Sequence, residues 1–342
     1  MMVQRSILID NFLRRSGWEN AARSSLAVDA SFRQYARITA NKKTAILMDA
    51  PPKKESVSSF IKITEHLESL GYSVPHIFAK DIDFGFLLIE DLGNETFTQA
   101  LSQKVDETQL YQSAIDVLIN LHSREPSEVI PHGLKSYDYN TLISEVVLFV
   151  DWYIVNLFGN EFAQKIRNDF LGIWDKLLSE ISLSEETLVL RDFHADNLMW
   201  LPNRDGIRKC GLLDYQDAVK GPAAYDIMSL LEDARRDLKN GMVDELFDYY
   251  CGAFPKFNRT KFKKIYNILS AQRHCKVIGI FFRLAMRDSK LNYLKHIKRC
   301  WRLLEKVSKS PELKILDEWL NANIPEGKRI GHLKLESRKF DI

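Results

Sequence analysis

The stretch Leu190-Arg191-Asp192-Phe193-His194-Ala195-Asp196-Asn197, together with Gly211-Leu212-Leu213-Asp214, decides the fold of this chain. The two stretches place an aspartate, an asparagine five residues later and a second aspartate at the end of an apolar strand. Phosphoryl transfer needs such a set, because the site must orient an acceptor hydroxyl and hold the metal that neutralises the phosphates. The pattern predicts that Asp192 takes the hydroxyl proton and that Asn197 and Asp214 supply oxygen ligands to Mg²⁺.

Short apolar runs around these residues predict the strands that deliver them. The predicted strands are Thr187 to Arg191, Leu198 to Leu201 and Lys209 to Leu213. The alternative is that Asp192 and Asn197 are ordinary loop formers, since Asp and Asn favour turns through local hydrogen bonds. Three acids or amides, each at the end of a fitting element, favour the catalytic interpretation.

Length and composition are typical of a globular intracellular enzyme. The 342 residues suffice for two domains or one two-lobed unit, with 45% hydrophobic and 27% charged content. A net charge of +2 gives no sign of the basic stripe that nucleic-acid partners require. The four cysteines lie far apart without a C-x-x-C pair, which argues against a zinc site or a disulfide framework and fits a reducing compartment.

Neither a signal peptide nor a membrane span is predicted. The segment from Met1 to Trp18 mixes charges into an amphipathic pattern, unlike the uninterrupted apolar core of a signal peptide. The run from Leu142 to Phe158 is the most apolar, but Glu145 and Asp151 interrupt it, so it is interpreted as a buried helix. We therefore expect a cytoplasmic protein without a membrane partner.

Hydrophobic periodicity indicates a sheet-rich first lobe and a helical second one. The predicted elements of the first lobe are strands at Ser31 to Thr39, Thr44 to Asp49, His76 to Lys80 and Gly85 to Ile89, and a helix at Val57 to Leu70. Helices predicted in the second lobe are Glu107 to His122, Tyr139 to Phe158, Glu161 to Ile181, Ala223 to Leu238, Val243 to Cys251, Thr260 to Ala271, Val277 to Arg287, Tyr293 to Val307 and Glu312 to Leu320. The tail from Pro325 to Ile342 is polar and basic, and we expect part of it to be disordered.

These elements predict an α+β, bilobal protein kinase-like fold. A small antiparallel-sheet N-lobe would cover residues 1–92, and a large, mainly helical C-lobe with the catalytic loop and acceptor site would cover residues 93–342. ATP would lie in the cleft between them, with adenine hydrogen-bonded to the main chain of the hinge at Glu90, Asp91 and Leu92. We expect the chain to act as a monomer on ATP and a small-molecule acceptor.

At this level the chain resembles the superfamily of aminoglycoside phosphotransferases and choline kinases. Longer strings resemble, within it, the bacterial kinases that phosphorylate the C1 hydroxyl of N-acetylmuramate and N-acetylglucosamine. These strings are Asp29-Ala30-Ser31-Phe32-Arg33-Gln34-Tyr35, Met48-Asp49-Ala50-Pro51-Pro52, Phe86-Leu87-Leu88-Ile89-Glu90-Asp91-Leu92-Gly93, Asp214-Tyr215-Gln216-Asp217-Ala218, Gly221-Pro222 with Tyr225-Asp226, and Arg283-Leu284-Ala285-Met286-Arg287-Asp288. The resemblance implies an ATP- and Mg²⁺-dependent sugar 1-kinase that serves peptidoglycan recycling.

Two positions depart from the superfamily pattern. The histidine that often precedes the catalytic aspartate by two residues is here Leu190, an apolar side chain able to fill the same packing role. The strand lysine that contacts the α- and β-phosphates is expected at Met48, which carries no charge. Either the register is shifted by a few residues toward Lys42 and Lys43, or another cation serves. Arg33 and Arg37 on the preceding strand are the candidates for that cation, and we expect Arg33 to serve, because a guanidinium presents a planar fork to phosphate oxygens. A solvated strand arginine is the alternative for Arg33.

Four further residues are candidates for binding the acceptor. Asp217 would hydrogen-bond sugar hydroxyls or the acetamido group, or else cap a helix. His194 would approach the acceptor, or orient the catalytic loop. Arg283 and Arg287 lie four residues apart on one helix face, where they would bind the lactyl carboxylate of N-acetylmuramate or pair with surface acids.

Two other functions stay open on sequence grounds. One is a kinase for another small hydroxyl compound, such as an aminoglycoside, choline or homoserine. The other is an ATP-binding regulatory pseudokinase, which the missing lysine favours and the three metal and catalytic residues disfavour.

Overall fold

The computed structural model describes residues 2–26, 32–181, 186–256 and 258–329, with side chains from Arg5 onward. The chain divides into two compact units, each of which gathers two separate segments. Unit 1 takes the described residues up to Leu134 and the segment Leu190–Val219; unit 2 takes Lys135–Val189 and the described residues from Lys220 onward. The segment with the catalytic loop therefore belongs to the same unit as the N-terminal sheet. The lobe boundary after Leu92 stays a prediction.

Unit 1 contains a five-stranded antiparallel sheet with the strand order β1-β2-β3-β5-β4. With strands numbered in chain order, those of unit 1 are β1 Ala22–Ser25, β2 Gln34–Ala40, β3 Lys43–Asp49, β4 Ile77–Asp81, β5 Phe86–Glu90, β7 Leu198–Trp200 and β8 Cys210–Leu212. Asn41 and Lys42 connect β2 to β3 with φ of 49° and 65°. Two consecutive residues with positive φ form a hairpin turn whose twist matches that of the two strands it connects.

The helices of unit 1 are α1 Met2–Arg15, α2 Ser58–Ser69, α3 Phe97–Ser102, α4 Glu107–His122 and α5 Pro126–Val129. Phe12 and Leu13 of α1 join a buried cluster with Ile38, Leu47 and Phe86 of the sheet. Helix α1 therefore covers one face of the sheet and excludes water from it. The sequence analysis did not predict β1 and α3. Both are short, and a short element shows too little hydrophobic periodicity to be recognised.

Strands β7 and β8 form an antiparallel pair that frames the catalytic loop. A single main-chain bridge ties Gly211 of β8 to Ser73, where the N–H of Leu212 donates to the carbonyl of Ser73 at 2.8 Å. The N–H of Trp200 in β7 likewise donates to the carbonyl of Glu95 at 2.7 Å. The loop is thus anchored to main chain on both sides of the β4–β5 hairpin, since Ser73 precedes β4 and Glu95 follows β5.

Unit 2 is mainly helical. Its elements are α6 Tyr139–Val146, a π-helical segment Phe149–Ile154, α7 Val155–Phe158, α8 Asn160–Ser179, β6 Glu186–Val189, β9 Val219–Pro222, α9 Ala224–Leu231, α10 Met242–Gly252, α11 Arg259–Arg287, α12 Ile297–Ser308, α13 Lys314–Asn323 and α14 Glu326–Arg329. Strands β6 and β9 pair in a two-stranded sheet. Together with the sheet of unit 1, this architecture confirms the predicted α+β class.

Helix α11 is continuous, where the sequence predicts two helices separated at Gln272–Lys276. That polar run interrupts the apolar period, but its side chains are buried and paired. Lys276 Nζ contacts Glu145 Oε1 at 2.7 Å, and His274 Nε2 lies 2.8 Å from Glu232 Oε2. Buried polar groups that are satisfied by partners do not break a helix, so the predicted break was wrong.

Helix α9 ends at Leu231, seven residues before the predicted end at Leu238. Asp233 Oδ1 accepts a hydrogen bond from the N–H of Arg235 at 2.8 Å. Such a local side-chain bond offers the backbone an alternative to the helix. The predicted start of the first strand at Ser31 and the tail beyond Arg329 lie outside the described residues.

Among the described residues, one helical stretch, Tyr139–Phe158, is long and apolar enough to cross a membrane, with a mean hydropathy of 1.6. Length and composition alone do not separate such a span from a core helix. Glu145 within it pairs with Lys276, and the Tyr153 ring packs edge-on against Phe282 at 5.0 Å. These contacts within unit 2 are those of a core helix.

Candidate active site

The catalytic loop is closed by Asn197. The side-chain Nδ2 of Asn197 donates to the main-chain carbonyl of Asp192 at 3.0 Å. The main-chain carbonyl of Asn197 accepts from the N–H of Leu213 at 2.9 Å. Nδ2 also lies 3.4 Å from Asp214 Oδ2. Asn197 therefore links the loop that carries Asp192 to the end of β8 that carries Asp214.

Two non-glycine residues of this site have left-handed backbone conformations. Arg191, directly before Asp192, has φ of 69°, and Asp214 has φ of 58°. Such conformations are uncommon outside glycine and persist only where the surroundings enforce them. The main-chain anchors of β8 and the Asn197 link supply that enforcement. One of the two residues is the predicted metal ligand Asp214, and the other directly precedes the predicted base Asp192.

Asp214 is open to solvent, yet protein atoms crowd around it. Burial by these atoms is the largest effect, and it raises the pKa of the Asp214 carboxyl, as do the negative charges of Asp192 and Asp217. The hydrogen bond from Gln216 Nε2 to Oδ1, at 2.8 Å, and the charge of Arg33 act in the opposite direction. The carboxylates of Asp192 and Asp217 are therefore both close enough to repel that of Asp214.

The donor chemistry of this region fits a magnesium ion carried by a nucleotide. Mg²⁺ takes oxygen ligands, usually from one or two carboxylates together with substrate phosphates. Asn197 commits its amide nitrogen to Asp192, so its amide oxygen is the atom suited to a cation. A cation would also relieve the repulsion that raises the pKa of Asp214. Within the described residues no group of three or more His, Cys, Asp or Glu side chains forms a separate metal site.

Arg33 lies beside these acids. Its side chain is almost fully buried, and Nε lies 2.7 Å from Glu55 Oε2. Burial raises the pKa of Tyr35 to about 12, with the charge of Arg33 lowering it and those of Asp214 and Glu55 raising it further. Arg33, Tyr35, Glu55 and Asp214 are thus close enough to influence one another electrostatically.

Arg37 and Met48, the other two positions considered for phosphate contact, are placed differently. Arg37 makes a bidentate pair with Asp91, with Nε to Oδ2 at 2.7 Å and an Nη2 to Oδ1 distance of 2.9 Å. Met48 is fully buried in β3, opposite Tyr35 and Leu87 in the neighbouring strands. Only Arg33 of these three is brought near Asp214.

The predicted hinge residues line a depression of about 420 Å³ together with Trp200 and Arg204. Glu90 Oε1 accepts from an Arg204 Nη2 at 2.6 Å. Burial acts to raise the pKa of Asp91, but hydrogen bonds from Arg37, the Gly93 N–H and Thr44 outweigh it and lower that pKa.

Both acidic side chains of the hinge are therefore occupied by structural pairs. Within the described residues, the N–H of Leu92 donates to no other main-chain carbonyl. The N–H of Glu90, by contrast, donates to the main-chain carbonyl of His76 at 2.8 Å.

His194 and Asp217 lie close to the acids in the same unit. His194 is buried, and its Nε2 is 3.3 Å from Asn197 Nδ2. Asp217 is exposed, and its main-chain carbonyl lies 3.4 Å from an Nη of Arg191. The contact of His194 favours an orienting role in the loop, and the carboxylate of Asp217 is exposed to solvent.

Arg283 and Arg287 belong to unit 2, near the end of α11. Arg287 is exposed and paired with Asp288, with Nε to Oδ1 at 2.7 Å. Arg283 is half-buried, and within the described part of the chain its Nε has no hydrogen-bond partner. Burial, followed by the charge of Arg287, lowers the pKa of the Arg283 guanidinium. The two predicted arginines are therefore not equivalent.

Sequence reasoning missed three neighbours of the site. Gln216 donates a hydrogen bond to Asp214, and Glu55 forms an ion pair with Arg33. The third neighbour is Tyr35, whose pKa is raised by burial and further by the charge of Asp214. The sequence could have indicated Gln216, because it is an amide two residues after Asp214, the predicted metal ligand. No local pattern indicated Glu55, because its partner is distant in the chain.

Comparison with known proteins assigns the chain to a family. The model of the phosphotransferase enzyme family matches residues 23–263. This chain belongs to the phosphotransferase enzyme family. A member of that family transfers a phosphoryl group to a hydroxyl acceptor, so this phosphotransferase is a kinase.

Individual relatives cover nearly the whole phosphotransferase. The N-acetylmuramate/N-acetylglucosamine kinase of Caulobacter vibrioides is 31% identical over 346 aligned residues, which cover 92% of this chain and 95% of the relative. A choline kinase from Cryptosporidium parvum superposes with a TM-score of 0.61 at 14% identity, covering 93% of this chain and 99% of that one.

A spectinomycin phosphotransferase solved with ADP and spectinomycin has a TM-score of 0.54 at 13% identity, covering 93% of this chain and 98% of that one. At such identities the two solved structures show the fold alone. The predicted kinase-like fold and the resemblance to this superfamily and its amino-sugar kinases are confirmed.

Proposed function

We propose that this phosphotransferase is an ATP- and Mg²⁺-dependent sugar kinase that phosphorylates the anomeric hydroxyl of N-acetylmuramate, N-acetylglucosamine or both, in peptidoglycan recycling. The observation that carries the acceptor is the 31% identity over 92% of the chain to a kinase named for these two sugars. The anomeric position and the pathway follow from the resemblance of the motif strings.

In the proposed reaction, Asp192 accepts the proton of the acceptor hydroxyl. The hydroxyl oxygen then forms a bond to the γ-phosphorus while the bond to the bridging oxygen of ADP breaks, and ADP leaves with the electron pair. Asp192 is held for this task by the Asn197 side chain, which bonds its main-chain carbonyl at 3.0 Å. General base catalysis of this kind contributes about 10²–10⁴-fold in rate.

Asn197 and Asp214 are the residues that would hold magnesium, which when bound neutralises phosphate charge. Arg33 is the proposed cation for the phosphates, since it is the candidate close enough to Asp214 for its charge to act on that carboxyl. The main chain at Glu90, Asp91 and Leu92 is the proposed adenine site.

For the acceptor we propose contacts from Asp217 to the sugar and from Arg283 to the lactyl carboxylate of N-acetylmuramate. Burial without a partner at Nε makes Arg283 a group that gains from an anion. Arg287 already has Asp288 as its anion. We propose that His194 orients the loop that carries Asp192. We propose that Met48 contributes as a buried residue of β3.

The test is ATP consumption by the full chain with Mg²⁺, using N-acetylmuramate, N-acetylglucosamine, glucose, an aminoglycoside and choline as acceptors. Turnover is expected on the two N-acetylated sugars, and the product should show coupling between phosphorus and the anomeric proton in NMR spectra. Asp192→Asn should abolish most of the turnover. Asp196→Asn, a matched change at an exposed loop position bonded to Thr98, should keep most of it.

Turnover on choline or an aminoglycoside alone would keep the mechanism and overturn the acceptor. A phosphate at another sugar hydroxyl would overturn the anomeric assignment. Binding of ATP without turnover on any acceptor would overturn the proposed function altogether and favour a regulatory role.

A further inference from the structure

The ion pair between Arg33 and Glu55 joins two chain segments beside the acids of the site. Arg33 immediately precedes β2, and Glu55 lies in the turn between β3 and α2. Arg33 Nε and Glu55 Oε2 are 2.7 Å apart, and the two side chains are 10% and 22% exposed. Salt screens such a largely buried ion pair much less than it screens a pair on the surface.

The main chain around Glu55 is fixed. The N–H groups of Lys54 and Glu55 both donate to the carbonyl of Pro51, at 2.8 and 3.1 Å. Pro51 has no N–H and a restricted φ, which reduces the number of conformations open to this turn. Glu55 therefore presents its carboxylate from a defined position.

The pair restricts where the guanidinium of Arg33 lies. The 2.7 Å contact is an ion pair, and the planar fork of the guanidinium carries further N–H donors that can meet phosphate oxygens. The charge of Arg33 acts on both Tyr35 and Asp214, so the cation lies within electrostatic reach of the carboxylate proposed to hold magnesium.

We propose that Glu55 is a positioning residue, which holds Arg33 in the orientation that binds the nucleotide phosphates. The pair would perform in this chain the task that a strand lysine and a helix glutamate perform in protein kinases. This inference rests on the part of the proposed function in which Arg33 is the phosphate cation. It assigns Glu55 a role in nucleotide binding and explains how a fully buried methionine can occupy position 48.

A purely structural pair makes a different prediction. If Glu55 only neutralised a buried arginine, its loss would destabilise the fold but would not depend on how many phosphates a ligand carries. If Glu55 competed with phosphate for Arg33, its loss would strengthen nucleotide binding. The number of phosphates in the ligand is therefore the variable to change.

The experiment measures the affinity of the full chain, with Mg²⁺ present, for ATP and ADP by calorimetry and for adenosine by NMR titration. Glu55→Gln should weaken ATP and ADP about tenfold or more, as expected for a charge-assisted contact, and leave adenosine unchanged. Arg33→Gln should produce the same pattern, and the double variant should lose little more than the larger single loss. Glu55→Asp should retain part of the affinity.

Glu65→Gln is the matched control, because Glu65 lies on α2 and pairs with exposed Lys80 at 2.8 Å. It should leave all three affinities unchanged. Adenosine binding also reports whether each variant is folded. Unchanged or tighter ATP binding by Glu55→Gln would overturn the inference, as would an equal loss for adenosine.

These measurements need no acceptor sugar, so the two proposals fail separately. Normal turnover on amino sugars with an unaffected Glu55→Gln variant would contradict the positioning role alone. The expected phosphate-dependent loss without turnover on any amino sugar would contradict the proposed acceptor alone.

Discussion

Asn197 shows how much of the site depends on one side chain. Its side-chain Nδ2 donates to the main-chain carbonyl of Asp192 and lies 3.4 Å from Asp214 Oδ2. Its main-chain carbonyl accepts from the N–H of Leu213. The sequence predicted Asn197 as a metal ligand from its spacing alone. Its second task, closing the loop, is visible only when the hydrogen bonds are known.

Arg283 and Arg287 give a prediction about acceptor choice. Arg283→Gln should raise KM for N-acetylmuramate about tenfold or more while changing KM for N-acetylglucosamine little, because only the first sugar carries a carboxylate. Arg287→Gln, whose partner is Asp288, should change neither. Steady-state kinetics on both sugars checks this. An equal loss for both sugars in Arg283→Gln would contradict it.

Among the helices, local signals fix some ends and tertiary contacts fix others. Helix α4 was predicted with the bounds it has, Glu107 to His122, and Asp106 caps it by accepting from the N–H of Gln109 at 2.8 Å. The capping residue and the N–H that it binds are only a few residues apart, so this helix start can be predicted from the local sequence. The continuity of α11 depends on partners from other helices, which sequence does not contain.

Helix α11 also yields a prediction through Gly279. A Cβ at this position would overlap the main-chain carbonyl of Leu148 and approach the N of Phe149 to 2.7 Å, so the helix lies directly against the π-helical segment. Gly279→Ala should therefore destabilise the protein by about 1–3 kcal/mol, the usual cost of overpacking, despite the better helix propensity of alanine.

The matched control is Gly172→Ala in α8, where a Cβ would meet nothing within 4 Å. This variant should gain about 0.5–1 kcal/mol from helix propensity alone. Urea unfolding followed by circular dichroism compares the two. A stabilised Gly279→Ala variant would show that the close approach to Leu148 is dispensable.

For the whole molecule, a buried carboxylate predicts how stability depends on pH. Burial acts to raise the pKa of Glu232, but the hydrogen bond and charge of His274, with bonds from Ser270 and Tyr266, outweigh it and lower that pKa. Burial lowers the pKa of Arg299, and the negative charge of Glu232 acts to raise it. A carboxyl with a lowered pKa in the folded state stabilises it above the unfolded pKa of about 4.3 and loses that contribution as pH falls through the folded value.

Glu232→Gln should accordingly lower Tm at pH 7, and the gap from the unchanged protein should narrow as pH falls below about 4.3. Thermal unfolding between neutral and acidic pH measures the gap. Glu318→Gln, at an exposed position of α13, should lower Tm little at either pH. A gap that stays constant with pH would contradict the role of the Glu232 charge.

The sequence by itself determined the family, the α+β class and the acids of the catalytic loop, because spacing within one loop and periodicity within one element are local properties. Their roles as base and metal ligands stay predictions. Only the tertiary structure decided which cation lies near Asp214, since Arg33, Arg37 and Met48 differ in long-range partners and not in local pattern. It also decided that α11 is unbroken and that Glu55 meets Arg33. Such contacts join residues far apart in the chain, and hydrogen bonds and burial, not spacing, bring them together.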